Sequence, residues 1–132
     1  MNVGIVIVAH APMASALYAG GVHCFQSQPG ILTYDVSPSD SPEVSAEVIL
    51  QRIEKADTGA GVLVLTDIVG ASPANAAVMA AERARTKGHS ITLLAGANTP
   101  MLLRAITYRN LPLDDMADRV LAGGHQAILR IH

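Results

Sequence analysis

The chain has 132 residues, half of them hydrophobic and 15% charged, with a formal net charge of −2 at pH 7. So apolar a composition excludes a disordered chain and supplies one core of ordinary size, so a single domain over residues 1–132 is expected. With no basic run, one Phe, three Tyr and no Trp, the chain lacks the positive footprint and the stacking rings of a nucleic-acid binder.

The first run, GIVIV (4–8), is β-branched and does not alternate, which predicts a strand buried on both faces. His10 follows it. Residues 12–20, PMASALYAG, are small and apolar and predict a helix halted at Gly20-Gly21. Cys24 is the single cysteine, so no intramolecular disulfide forms; it reads as a small buried hydrophobe, and His23 beside it is too weak a pair to hold a metal. ILTYDV (31–36) predicts a more polar strand nearer a sheet edge. Residues 42–55 predict a helix capped by Ser41 with Pro42 in its first turn, and Val44, Val48, Ile49 and Ile53 recur at helical spacing.

GVLVL (61–65) predicts a third buried strand. Ser72 and Pro73 then open a predicted helix over 73–87 that stops at Gly88. SITLLAG (90–96) predicts a fourth strand, and Thr99 and Pro100 open a helix over 100–109. A short helix is expected over 113–122 before Gly123-Gly124, and QAILRI (126–131) reads as a last strand. No basic, apolar leader opens the chain and no apolar run nears the ~20 residues of a spanning helix, so a cytoplasmic protein is expected.

Strands alternating with helices through short links give an α/β fold. The expected architecture is an open, mostly parallel sheet of about four strands with helices on both faces, plus a C-terminal antiparallel strand. In such a sheet the carboxyl ends of the strands form one rim, where ligands bind. His10, Asp67 and Asn98 each follow an apolar strand and so converge on that rim. Two rim loops run into the Ser-Pro and Thr-Pro helix starts, whose unpaired N–H groups and dipole favour an anion. Gly70 and Ala71 before Ser72 allow close backbone approach. A histidine, a carboxylate and an amide-rich pocket point to phosphate carried on imidazole. Neutral imidazole is a nucleophile near neutral pH, and a carboxylate on one ring nitrogen frees the other. No Walker-type loop or kinase signature is present, which argues against ATP as donor. The remaining histidines, His23, His89, His125 and His132, form no cluster at ligand spacing, so no metal and no cofactor are expected. His89, in a Lys-Gly-His loop, and His132 read as solvated.

GIVIVAHAPMASAL, GVLVLTDIVGASPANAA and AGANTPMLLRA together resemble, in order and spacing, three motifs of the mannose-family enzyme IIA domains of the bacterial phosphoenolpyruvate-dependent sugar phosphotransferase system. The likeness runs over about residues 2 to 122. It implies that His10 takes a phosphoryl group from the carrier protein HPr and passes it to an enzyme IIB, and that Asp67 pairs with it. It implies that Ser72 is the small residue beside the phosphoryl group, with Asn98 and Pro100 bordering the site. It also implies a homodimer that exchanges its last strand, with Gly123-Gly124 as the hinge. Membrane contact would then be indirect, through a permease. Some members of the family serve as regulators of a partner protein instead. Ala11-Pro12, Gly-Ala-Ser-Pro, Val69 and Ala74 depart from the family pattern at the rim that meets a partner.

Overall fold

The computed structural model describes all residues, Met1–His132. In chain order the elements are β1 (Gly4–His10), α1 (Met13–Gly21), β2 (Ile31–Val36), α2 (Pro42–Ala56), β3 (Val62–Thr66), α3 (Ser72–Thr86), β4 (Ile91–Leu94), α4 (Thr99–Tyr108) and α5 (Leu113–Gln126). The four strands form one parallel sheet in the order β2-β1-β3-β4. Every strand expected over the first 96 residues is present, and the polar β2 lies at an edge, as its composition implied.

Successive side chains of a strand point to opposite faces, and both faces here are covered. Ile5, Ile7, Leu63 and Leu65 pack with Leu17 of α1, Leu102 of α4 and Met116 of α5. Val6, Val8, Val62 and Val64 pack with Ile49 and Ile53 of α2 and with the alanines of α3. That is why β1 and β3 read as continuous apolar runs rather than alternating ones.

At the end of the sheet opposite His10, two polar clasps hold the strand entrances. Arg109 is 6% exposed. Its guanidinium donates to the carbonyls of Val3, Pro29 and Gly30. A buried charge needs such partners, and burial pulls the pKa of this group down. The second clasp corrects the reading of His89 as solvated: its Nδ1 lies 2.6 Å from Asp57 Oδ2, and Asp57 Oδ1 accepts the amides of Gly59 and Gly61. The pair closes over the entrances of β3 and β4, which a local reading of Lys-Gly-His does not reveal.

Other expectations are corrected near the helix ends and the tail. Cys24 is exposed, not buried; it sits in the turn after α1, beyond the last buried residue of that helix. The cap of α4 is Asn98 rather than Thr99, since its Oδ1 accepts the Met101 amide. Ser72 is the first residue of α3 rather than its cap. Gly123 and Gly124 are no hinge: α5 runs through them, and both are buried against α4. Residues 127–132 form no strand, because no strand of the same chain lies beside them. Ile128, Leu129 and Ile131 are instead exposed.

Candidate active site

β1 ends at His10, whose register partner is Val36 on β2, while Val8 pairs with Thr66 on β3. Continued one step, that register sets Asp67 opposite Ala9, so that its side chain meets the next residue, His10. The Asp67 backbone is fixed from the loop after β4, where Gly96 and Ala97 donate to the carbonyls of Asp67 and Thr66. Parallel pairing alone thus joins two residues 57 positions apart.

Asp67 Oδ2 accepts the His10 backbone amide at 3.0 Å and lies 2.7 Å from His10 Nδ1. Asp67 Oδ1 accepts the Ile68 amide at 2.9 Å. The Asp67 side chain is 8% exposed and the His10 side chain 50%. Burial works against ionising this carboxyl, but the hydrogen bonds from the His10 ring, the His10 amide and the Ile68 amide outweigh it. The pKa of Asp67 falls below the usual carboxylate value. Asp67 is then an ionised acceptor, so Nδ1 is the donor of the pair, and in the neutral ring this tautomer leaves the lone pair on Nε2. Half-exposed, His10 can present that lone pair to solvent or to a second protein.

Four helices start at this rim and are capped differently; α2 is capped by its own Ser41, whose hydroxyl accepts the Val44 amide. α4 is capped by its own Asn98. At α1 the cap position is Pro12, which has no side-chain acceptor, but Asp35 of β2 accepts the Ser15 amide at 3.1 Å and the Ser15 hydroxyl at 2.5 Å. α3 begins at Ala71 and Ser72 with no side-chain cap. Gly70 precedes it at φ +84°, a left-handed conformation that favours glycine. With Pro73 lacking an N–H, the amides of Ser72 and Ala74 and the Ser72 hydroxyl are the donors left at that pole. The rim therefore holds the His10–Asp67 pair, and the chain runs from Asp67 through Gly70 and Ala71 into the uncapped start of α3 at Ser72. Asn98 caps α4 through its Oδ1, which leaves its Nδ2 amide as a donor at the rim.

Asp35 escaped the reading of residues that follow strands, because it lies one position inside its strand. Its register with Ala9 carried the signal. Around His10, Met13, Ile68 and Val69 are exposed at 42%, 59% and 78%. No group of three or more His, Cys, Asp or Glu side chains is placed to hold a metal ion.

Residues 4–121 match the family model described as PTS system fructose IIA component. The chain belongs to that family. The PTS IIA fold is equally clear in solved structures. The phosphotransferase system component EIIA from Streptococcus agalactiae superposes with a TM-score of 0.86 at 23% identity, covering 97% of this chain and 96% of that one. The mannose/sorbose specific IIA subunit from Enterococcus faecalis gives 0.86 at 20% identity, covering 100% of this chain and 96% of that one. The PTS system mannose-specific EIIAB component of Escherichia coli (strain K12) is 31% identical over 110 residues, 83% of this chain. The chain spans about a third of the length of that relative (33%).

Proposed function

We propose that this IIA domain is a phosphoryl carrier of a sugar phosphotransferase system, with His10 the residue that is phosphorylated. What carries the reading is the free Nε2 of a half-exposed His10 whose Nδ1 is held by a buried carboxylate. The Nε2 lone pair attacks the phosphorus of a phosphohistidine on HPr. The P–N bond of the donor breaks, its electron pair returns to the donor imidazole, and a new P–N bond forms on Nε2. The positive charge that develops on the His10 ring is compensated by Asp67 through the Nδ1–H bond. The phosphoryl oxygens gain the α3 amides of Ser72 and Ala74 and the Ser72 hydroxyl, with Gly70 and Ala71 shaping the approach. Transfer of this kind asks for in-line positioning and charge stabilisation, which such donors supply without a metal or cofactor.

The exposed Met13, Ile68 and Val69 around His10 suit docking of protein partners, HPr as donor and an enzyme IIB as acceptor. No helix is long and apolar enough to cross a membrane, and we place the carrier in the cytoplasm, reaching a permease only through its acceptor. The exposed Ile128, Leu129 and Ile131 and the unpaired edge of β4 support a homodimer that exchanges the segment beyond α5, residues 127–131, as an antiparallel strand. A single domain over residues 1–132 completes the reading.

The experiment incubates the protein with phosphoenolpyruvate, enzyme I and HPr. Acid-labile phosphate is expected on the wild type and absent from His10→Ala. Equal labelling of that variant, or none of the wild type, overturns the reading. Transfer onward to a purified enzyme IIB then separates a transport carrier from a regulator of another protein.

A further inference from the structure

We propose that Asp35 is a positioning residue for His10, supplying from β2 the helix cap that α1 lacks and so fixing the loop that carries the reactive imidazole. The inference rests on the carrier reading given above. Between His10 and Met13 lie only Ala11 and Pro12. The β1 side of this loop is fixed by the His10 amide on Asp67 and the Ala11 amide on the Val36 carbonyl at 3.0 Å. On its helix side the Pro12 carbonyl accepts the Ala16 amide at 3.0 Å, but Pro12, at the cap position, offers no side-chain acceptor for the open amides of the first turn.

A cap residue normally accepts the amide of the second or third helical residue. In α1, Met13 is the first and Ser15 the third. Asp35 reaches that third amide from the neighbouring strand at 3.1 Å, and its other oxygen accepts the Ser15 hydroxyl at 2.5 Å. Ser15 Oγ also lies 3.2 Å from the Pro12 carbonyl, so its hydroxyl is shared between Asp35 and the loop itself. β2 therefore grips the loop at Val36 O, Asp35 Oδ1 and Asp35 Oδ2. Asp35 pairs with Ala9 and Val36 with His10, which sets the grip on the strand beside the end of β1.

The charge has a second consequence. Each helix start at the rim is a pole of partial positive charge. Asp35 places a carboxylate on the pole of α1, and Asn98 caps that of α4. Ser41 caps that of α2, so among the rim helices only α3 is left uncapped, and the phosphoryl group on Nε2 is directed to Ser72 and Ala74 rather than shared among four poles. Loss of Asp35 frees the α1 pole and loosens the His10 loop together.

Two ring protons make the test specific. His10 Nδ1–H faces Asp67 and His89 Nδ1–H faces Asp57 at the opposite end of the sheet. Each is expected as a downfield proton resonance in the unphosphorylated protein. Asp35→Ala is expected to broaden or shift the His10 resonance and leave that of His89 in place. With phospho-HPr as donor, kcat should fall by about tenfold with KM little changed, as for a nucleophile set slightly off line. Unchanged kcat, or loss of both resonances together, overturns the proposal, the latter because it reports general loosening. Should Asp35→Ala not fold, Asp35→Asn keeps an oxygen for the Ser15 amide and removes the charge; wild-type rate and resonances in that variant overturn it too. Failure of the wild type to accept phosphate would instead strike the carrier reading, and the resonance comparison is made without any donor.

Discussion

A carboxyl group only 8% exposed would ordinarily resist ionisation, yet Asp67 receives three N–H donors and its pKa is lowered. The sign of the pH dependence follows. Between the lowered folded value and the ordinary carboxylate value, the unfolded chain binds the proton and the folded one does not, so stability falls with falling pH. The contribution of Asp67 is fully present above the ordinary carboxylate range and is lost as pH drops through the folded value. Asp67→Asn lacks that term. The stability gap between wild type and variant, from urea unfolding, should be widest near neutral pH and close as the solution is made strongly acid. Asp57 is lowered in the same way, with burial again overcome by His89, Gly59 and Gly61, but it is common to both proteins and cancels. A constant gap would mean that Asp67 is not the ionised partner. In phosphoryl transfer from phospho-HPr the variant should be slower by at least about 100-fold, since ring orientation and charge compensation go together.

At the scale of elements, most of the sheet was legible because burial on both faces forces a simple pattern, seen in GIVIV and GVLVL. His10 and Asp67 were legible for a related reason: parallel strands of matched length must end on one rim. What the sequence left open was set by contacts between distant segments. Asp35 reaches Ser15 across 20 positions, and His89 reaches Asp57 across 32; neither pair has a local signature. Gly123-Gly124 misled because glycine is both a helix stop and a device for close approach. Here it is the latter, and the two glycines are unequal. A Cβ on Gly124 would lie 2.6 Å from Met101 Cγ, and Met101 is 2% exposed and held in the core. A Cβ on Gly123 would lie 2.6 Å from Arg104 Cγ, on an exposed side chain free to swing away. Alanine gains about 1 kcal/mol of helix propensity at either site, while overpacking a core costs about 1–3 kcal/mol. Gly123→Ala should therefore be neutral or slightly stabilising, and Gly124→Ala destabilising by about 1 kcal/mol. Urea denaturation of both variants decides it. A Gly124→Ala protein at least as stable as Gly123→Ala would remove the close α4–α5 packing as the reason for the second glycine.

On the scale of the whole molecule, the isolated chain has an unmet demand at each of two places. β4 is four residues long, with β3 its only hydrogen-bonded neighbour, and the tail beyond α5 exposes Ile128, Leu129 and Ile131 at 78%, 75% and 88%. An open strand edge and an apolar segment of strand length answer each other. They cannot meet within one chain if the tail leaves α5 without a turn, but two chains related by a twofold axis exchange tails reciprocally. Fully burying a Leu or Ile contributes about 1.5–3 kcal/mol. Six such side chains per pair, fully covered, come close to the cost of ordering two short tails at about 1–2 kcal/mol per residue of backbone without clearly exceeding it, so the strand hydrogen bonds to β4 must contribute as well. The balance makes the dimer sensitive to single changes in the tail. Sedimentation should find the full chain dimeric and a chain ending at Gln126 monomeric, with Leu129→Asp shifting the equilibrium toward monomer. The truncated protein should keep the His10 and His89 ring-proton resonances, since neither clasp involves residues beyond α5. A truncated chain that remains dimeric would place the interface elsewhere, and one that loses the His10 resonance would mean that the exchanged strand helps to build the rim.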